Sequence, residues 1–141
     1  MDRSLGILIK KANNAVNRDA DKFAQTLGLT SVQISIIDYV SREENKKDIF
    51  QKDVESEFNI RRATATSALK LMEERDLIVR VPMKKDARLK RIILTPKSHI
   101  LSKKICEYFD HAEQNMIAAM GDKNKSVFKN ALRQVIDKLS D

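Results

Sequence analysis

The feature that most constrains the fold is a change in the spacing of apolar residues in the middle of the chain. Phe50, Val54 and Phe58 recur every four residues, and the helical run RRATATSALKLMEERDLI follows them. Two β-branched segments come next, LIVRV at 77–81 and LKRIILT at 89–95. The polar stretch MKKDAR joins them and is predicted to be a hairpin tip. Two helices with a short turn between them, followed by a hairpin, indicate a helix-turn-helix with a wing.

Two further helices are predicted before this module. From Leu5 onward, apolar residues recur at spacings of three and four, and Gly28 is expected to end the first helix in the left-handed conformation favoured there. Thr30 is predicted to be the N-cap of the second helix, with Gln33 completing a capping box. This helix is expected to run through Val40.

Capping residues predict the boundaries of the remaining helices. Residues 41–47 are expected to form a polar loop, and Asp48 is expected to cap the third helix. Pro96 is predicted to begin a long helix that Gly121 ends, and Asp122 is predicted to cap a final helix. The predicted fold class is therefore mainly α with a small β-hairpin, in a single domain.

The positive charge of the chain is concentrated in one segment. Residues 61–97 contain eleven Lys or Arg against four Asp or Glu, a balance of +7. Residues 1–60 contain nine against ten, and residues 98–141 contain seven against six, so the flanks are nearly neutral. A basic surface attracts a phosphate backbone, because each neutralised phosphate releases counterions. A merely solvated basic face is the alternative, but here the charge coincides with the predicted recognition helix and hairpin.

Composition excludes several classes of protein. A hydrophobic fraction of 42% is typical of a folded globular chain. There is no apolar run of about 18 residues, which predicts no transmembrane helix and no membrane partner, and no signal peptide is recognised at the N-terminus. The single cysteine, Cys106, allows no intrachain disulfide and favours a reducing, cytoplasmic location.

The sequence contains no recognisable catalytic or cofactor motif. There is no Ser-His-Asp arrangement, no glycine-rich phosphate loop and no cluster of metal ligands. His99 and His111 lie twelve residues apart, which gives a shared zinc site little support. We therefore expect a protein that is not an enzyme and needs neither a metal nor a cofactor.

Three local patterns resemble the MarR family of winged-helix transcriptional regulators, and the resemblance covers essentially the whole chain. They are LTSVQ at 29–33, NIRRATATSALKLMEERDLIVR at 59–80 and DARLKRIILT at 86–95. The chain departs from the family pattern at Asp76 and at Ser98, where the family commonly has glycine. Both positions are expected to lie in turns.

The resemblance implies a domain organisation and a function. Residues 1–141 would form a single MarR-type domain, with a winged helix-turn-helix DNA-binding lobe at 30–96 and dimerisation helices at 3–28 and 97–140. Such a protein binds double-stranded DNA as a homodimer, on a pseudo-palindromic operator, and is commonly a repressor that a small-molecule effector releases. Apolar stripes on the terminal helices agree with a dimer. Folding of these helices back on their own subunit is the alternative.

The predicted DNA-binding residues lie on the second helix of the helix-turn-helix and on the hairpin. On the helix they are Arg61, Arg62, Thr64, Thr66, Ser67 and Lys70; on the hairpin they are Lys84, Lys85, Asp86, Arg88, Lys90 and Arg91. Hydroxyl groups meet several base edges, and arginine pairs best with guanine. The resemblance implies that Arg88 enters the minor groove and that Asp86 holds its guanidinium.

Each of these assignments has a structural alternative. Arg61 can be a solvated charge near the helix start, and the Thr66 hydroxyl can bond back to the preceding turn. Asp86 can simply cap the hairpin, with Arg88 as a surface residue. The basic residues around the hairpin favour the role in DNA binding.

The regulatory signal is less constrained by the sequence. Because family members often bind small aromatic or phenolic anions, Tyr39 and Phe109 are candidates for an effector pocket, although such residues also serve as core. Cys106 allows a redox-responsive regulator as an alternative function, against an inert small hydrophobic residue. A second alternative is a winged-helix module for protein–protein assembly with no operator, and the basic hairpin argues against it.

Overall fold

The computed structural model describes residues 4–140 and shows six helices and one hairpin in this part of the chain. The elements are α1 (Leu5–Thr26), α2 (Ser31–Glu43), α3 (Gln51–Phe58), α4 (Arg62–Glu74), β1 (Ile78–Pro82), β2 (Lys90–Leu94), α5 (Pro96–Met120) and α6 (Asp122–Leu139). The mainly α fold with a small hairpin is confirmed. Residues 1–3 and 141 of the predicted domain, including the first residue of the 3–28 segment, lie outside the described residues. None of the described helices is long and apolar enough to cross a membrane.

Helix α2 begins as predicted and ends later than predicted. The Thr30 hydroxyl accepts a hydrogen bond from the Gln33 backbone N–H at 3.2 Å, and the Gln33 amide oxygen accepts one from the Thr30 N–H at 3.1 Å. The helix then continues through Glu43 into the segment expected to be a loop. Arg42 contacts Asp38 one turn earlier, with 2.7 Å between Nε and Oδ1. Such i,i+4 pairs favour helix over loop.

The prediction that Asp48 caps α3 was wrong, because the residues before this helix pair with the hairpin. The Ile49 carbonyl accepts a hydrogen bond from the Ile92 N–H of β2 at 2.7 Å, which keeps the chain extended. Phe50 therefore occupies the N-cap position. The Asp53 carboxylate supplies only the other half of a capping box, because it accepts a hydrogen bond from the Phe50 N–H at 2.8 Å.

The strands pair in an antiparallel register with Ile78 opposite Leu94 and Pro82 opposite Lys90. They are shifted slightly from the predicted 77–81 and 89–95. The difference arises at Thr95, whose hydroxyl accepts a hydrogen bond from the Ser98 N–H at 3.3 Å and so begins α5. Pro96 is the first residue of this helix, as predicted.

The two departures from the MarR pattern meet in one buried cluster. Asp76 adopts a left-handed backbone with φ of 59°, and its carbonyl accepts a hydrogen bond from the Thr95 hydroxyl at 2.8 Å. Ser98 is fully buried and donates a hydrogen bond to the Leu77 carbonyl at 2.7 Å. The cluster joins the end of α4 to the start of α5. It therefore fixes the base of the hairpin relative to both helices.

The hydrophobic core lies between α2, α4, the hairpin and α5, with side chains such as Ile37, Leu69 and Ile105 fully buried. Helix α1 contributes only the buried residues Ala20 and Ala24. Within the described residues, α6 contributes no buried residue at all. The terminal helices therefore expose apolar side chains, which are Leu5, Ile7, Leu8, Ile9 and Val16 on α1 and Val127, Phe128, Ile136 and Leu139 on α6.

The break between the last two helices is at Gly121, as predicted, with φ of 88°. Asp122 was predicted to cap α6, but it is instead the first residue of the helix, and Gly121 occupies the cap position without a side-chain hydrogen bond. The Gly121 carbonyl accepts the Asn124 N–H at 3.1 Å. A carboxylate in the first turn still interacts favourably with the helix dipole.

Candidate nucleic-acid interface

Helix α4 has one buried face and one exposed face. Ala65, Leu69 and Met72 are fully buried at spacings of three and four, which packs this helix against the core. The six residues predicted to contact DNA from this segment are all exposed: Arg61, Arg62, Thr64, Thr66, Ser67 and Lys70. A left-handed Asn59 with φ of 50° ends α3 and turns the chain into α4. The outer face of α4 thus carries mainly polar side chains, together with the exposed Leu71 near its C-terminal end.

The wing tip is organised by a single carboxylate. Asp86 Oδ1 accepts hydrogen bonds from the Arg88 backbone N–H at 3.0 Å and from Arg88 Nε at 3.2 Å, and Oδ2 accepts one from Nη2 at 3.3 Å. The guanidinium beside it lowers the pKa of the Asp86 carboxyl. The side chain of Arg88 is 91% exposed. Asp86 therefore holds both the turn and the guanidinium, and Arg88 projects into solvent.

One groove brings the helix and the wing together. It runs between the start of α3, the outer face of α4 and the hairpin. Arg62 and Thr66 line it from α4, and Arg88 and Lys90 line it from the wing. Lys84 and Lys85 are exposed near the hairpin tip but do not line this groove. Cationic side chains from two distant parts of the sequence therefore share one surface, where they can meet phosphates and base edges.

Arg91 differs from the other predicted wing residues because it faces the protein. Successive strand residues point to opposite sides of a sheet, so Lys90 is exposed while Arg91 is half-buried. Arg91 Nη1 lies 3.3 Å from Asp48 Oδ1. Its Nε is buried and has no hydrogen-bond partner among the described residues. Arg91 thus holds the segment before α3 against the hairpin.

Two residues that were not predicted to contact DNA belong to the same surface. Gln51 begins α3 and Arg80 lies in β1, and both line the groove. The Arg80 guanidinium is paired with Glu73, with 2.8 Å between Nη2 and Oε1. The sequence offers one indication that Arg80 has a special role, which is that it stands as a single charged residue between apolar strand residues. No local pattern connects it to Gln51.

The two candidate effector residues do not share a cavity. Phe109 lines a cavity of about 570 Å³ between α1, α2 and α5. Tyr39 lies elsewhere and packs edge-on against Phe58, with ring centroids 6.0 Å apart. The neighbouring Asp38 and Arg42 line the cavity. Because consecutive helix residues point about 100° apart, Tyr39 faces α3 instead.

The cavity wall has apolar and acidic parts. Tyr108 stacks on Phe23 with ring centroids 4.5 Å apart, and its hydroxyl donates a hydrogen bond to Asp19. Burial first, and then this carboxylate, raise the pKa of Tyr108. Four carboxylates line the cavity, against one guanidinium: Asp19, Asp38, Asp110 and Glu113 against Arg42. The lining therefore carries an excess of negative charge.

Arg42 links the two sides of this cavity. Its Nε contacts Asp38 Oδ1 at 2.7 Å on α2, and its Nη2 contacts Asp110 Oδ1 at 3.0 Å on α5. The same Nη2 donates a hydrogen bond to the Cys106 carbonyl at 3.1 Å. These contacts raise the pKa of Arg42. The guanidinium thus joins the DNA-binding lobe to the long helix α5.

Cys106 is half-buried, with its Sγ 3.3 Å from Ser41 Oγ. Burial raises the pKa of this thiol, which lowers its thiolate fraction at neutral pH and makes it a poor nucleophile. Among residues 4–140 there is no group of three His, Cys, Asp or Glu side chains suited to hold a metal ion. His99 contacts Glu44, with 3.0 Å between Nε2 and Oε2.

Comparison with known proteins gives a consistent result. A sequence profile described as the MarR family matches residues 27–89. The solved structure of the transcription regulator MarR from Oenococcus oeni PSU-1 is 36% identical, covers 95% of this chain and 99% of its own, and superposes with a TM-score of 0.86. The MepR–DNA complex from S. aureus is 20% identical, covers 99% of this chain and 100% of its own, and has a TM-score of 0.87. No curated protein matches the sequence.

Proposed function

Because the chain belongs to the MarR family of transcription regulators, we propose that it binds double-stranded DNA sequence-specifically, as a homodimeric repressor that a small aromatic effector releases. The observation that carries the proposal is the groove in which Arg62 and Thr66 of α4 meet Arg88 and Lys90 of the wing. A cytoplasmic location, which we also propose, agrees with the single cysteine, Cys106.

The proposed contacts divide between the two parts of the interface. Thr64, Thr66 and Ser67 present hydroxyl groups on a helix whose N-terminus faces the groove, which suits the major groove and its flanking phosphates. Arg88 extends from the wing with its guanidinium held by Asp86, which suits a narrow minor groove with strong negative potential. The lysines at the wing tip supply contacts to phosphate, and those contacts position the protein without reading sequence.

The proposed homodimer rests on the apolar faces of α1 and α6. Leu5 of α1 and Leu139 of α6 are 75% and 78% exposed, and each of the two helices exposes further large apolar side chains. Soluble monomers rarely leave such patches uncovered. A two-fold dimer buries one copy of this surface against the other and places two recognition helices about 34–36 Å apart, on successive major-groove turns. The operator is then a pseudo-palindrome.

The proposed effector site is the cavity between α1, α2 and α5. Its apolar wall, with Phe109 and Tyr108, suits an aromatic compound. The four carboxylates of the wall outnumber the two cations paired with them, Arg42 and Lys129, and this excess of negative charge disfavours the phenolic anions expected from the family resemblance. We therefore infer an uncharged or cationic aromatic effector.

A binding titration tests the proposal. The probes are a duplex selected from random DNA with this protein and a scrambled duplex of the same composition, each at two salt concentrations. A specificity ratio of about 10³ or more and a log–log salt slope of several units are expected. Equal affinity for both duplexes contradicts sequence-specific binding. Absence of binding at low salt favours the protein–protein assembly module instead.

A further inference from the structure

A polar network lies beneath the groove and ends on the recognition helix. Gln51 Nε2 donates hydrogen bonds to Thr66 Oγ1 at 2.8 Å and to the Arg62 carbonyl at 3.4 Å. Gln51 Oε1 accepts a hydrogen bond from Arg80 Nη1 at 3.5 Å. Because a guanidinium can only donate, the amide oxygen must face Arg80 and the amide nitrogen must face Thr66.

Arg80 is itself held in place. Its Nε and Nη2 both donate to Glu73 Oε1, at 3.1 and 2.8 Å, and its side chain is only 21% exposed. Glu73 belongs to the last turn of α4 and Arg80 to β1, so the network joins α3, α4 and the hairpin. Gln51 therefore cannot rotate its amide without losing the contact to Arg80. The orientation of the amide is set by elements remote from it in sequence.

This orientation decides what the Thr66 hydroxyl can do. Threonine in a helix often donates its hydroxyl hydrogen back to the carbonyl four residues earlier, which here belongs to Arg62. That carbonyl already accepts the helical N–H of Thr66 and the Gln51 amide, and a carbonyl has two lone pairs. Within residues 4–140, the Thr66 hydroxyl accepts from Gln51 and donates no hydrogen bond, and it lies on an exposed side chain at the edge of the groove.

We propose that Gln51 fixes the Thr66 hydroxyl as a hydrogen-bond donor toward DNA, so that Thr66 reads an acceptor on a base edge. This inference rests on the proposed function, since it assumes that the groove receives the operator. Gln51 acts as a positioning residue for specificity and touches no base itself. Arg80 and Glu73 keep its amide in the required orientation.

The chemistry of the bases makes the inference specific. In the major groove, guanine presents N7 and O6, thymine presents O4 and adenine presents N7 as acceptors, whereas cytosine presents only its amino donor. The Thr66 oxygen has two lone pairs, of which the Gln51 amide occupies one, whereas the hydroxyl hydrogen is not used by Gln51. Donation to a base acceptor is therefore favoured, and cytosine is disfavoured at the contacted base. A hydroxyl with its hydrogen directed inward would instead accept from the amino groups of cytosine or adenine.

Two substitutions separate these cases. Thr66→Val removes the hydroxyl at nearly constant shape, while Thr66→Ser keeps it. Gln51→Glu replaces the amide donor with an acceptor, so that the carboxylate pairs with Arg80 and receives the Thr66 hydroxyl hydrogen. In that variant Thr66 can only accept, and the preference should move toward a base with an amino group. Gln25→Glu makes the same chemical change at an exposed position on α1 and is the matched control.

The experiment measures affinity ratios between bases. The probe is the duplex selected with the wild-type protein, together with every single-base substitution of it, and thermal unfolding confirms that each variant is folded. For the wild type, cytosine at the contacted position should weaken binding by about fivefold to tenfold. Thr66→Val should reduce this discrimination to within about twofold, Thr66→Ser and Gln25→Glu should keep it, and Gln51→Glu should reverse it.

The outcomes distinguish this inference from the proposed function. If the wild type binds no duplex specifically, the proposed function fails and this inference fails with it. If the wild type is specific but Thr66→Val keeps the full discrimination against cytosine at every position, only the reading by Thr66 is overturned. If Thr66→Val loses the discrimination while Gln51→Glu leaves the base preference of the wild type unchanged, the role of Gln51 is overturned.

Discussion

Arg88→Ala is the most direct perturbation of the wing. The side chain is 91% exposed, and its described partner is the Asp86 carboxylate two residues away. Surface ion pairs of this kind contribute about 0–1 kcal/mol to stability. The substitution should therefore leave the free energy of unfolding and the dimer nearly unchanged. Any loss of DNA binding then reports on the interface itself.

The expected loss has two parts. Removing an arginine that contacts DNA costs about 1–3 kcal/mol, which corresponds to roughly a fivefold to 150-fold increase in Kd. Without Arg88, the Asp86 carboxylate is also left uncompensated at the wing tip, and its repulsion from a phosphate adds up to about 1 kcal/mol in water. Asp86→Asn in the Arg88→Ala background should therefore recover part of the loss. In the wild-type background the same change should weaken binding, because it releases the guanidinium.

Fluorescence anisotropy with a labelled operator, at a series of salt concentrations, measures both affinity and the log–log salt slope. Arg88→Ala should lower the magnitude of the slope by about one, because one cation that displaces counterions from the DNA is lost. Lys104→Ala removes one exposed charge from α5, away from the groove, and should change the affinity by less than about twofold. If Arg88→Ala binds as tightly as the wild type with the same slope, the assignment of the wing to DNA is refuted.

Three further predictions concern the rest of the molecule. Thr95→Val should lower the free energy of unfolding by about 2 kcal/mol in urea titrations, because a helix cap and a buried hydrogen bond are lost together. The control Thr26→Val, on the surface, should change this free energy by less than about 0.5 kcal/mol. In calorimetry, the cation tetraphenylphosphonium should bind about tenfold more tightly than the anion tetraphenylborate, because carboxylates line the cavity. The double substitution Asp110→Asn with Glu113→Gln should abolish this difference in affinity. Equal binding of the two ions by the wild type would contradict a cationic effector. Peroxide treatment should leave operator binding unchanged, since burial raises the pKa of the Cys106 thiol; a loss that a Cys106→Ala variant escapes would favour redox control.

Elements and their order were predictable from the sequence because they follow from local periodicity. The capping box at Thr30, the left-handed Asn59 and the start of α5 at Pro96 depend on a few adjacent residues. The start of α3 was not predictable in the same way. Asp48 has the correct chemistry for a cap, but the pairing of Ile49 with β2 takes this segment away from the helix.

The candidate interface also has parts that follow from neighbouring residues in the sequence and parts that form only in the folded protein. The exposed face of α4 and the Asp86–Arg88 pair follow from helix periodicity and from a spacing of two residues. Gln51 and Arg80 lie 29 residues apart and meet only in the folded lobe. The sequence does not show which way Tyr39 faces, because the direction of a half-buried side chain on a helix depends on the neighbour that packs against it. Here that neighbour is Phe58, so Tyr39 points away from the cavity that Phe109 lines.

The proposed effector site and the DNA-binding lobe are connected through Arg42, and this connection limits how an effector can act. A ligand shifts an equilibrium only by its difference in affinity for the two states. A cation in the cavity competes with the Arg42 guanidinium for Asp38 and Asp110, and the contact to Asp110 is one of those that join α2 to α5. A cation therefore binds best to an arrangement in which that contact is loosened. In the proposed dimer, two recognition helices must stay about 34–36 Å apart to bind both half-sites. Loosening the lobe from α5 in both subunits should then weaken operator binding without any change in the recognition helix.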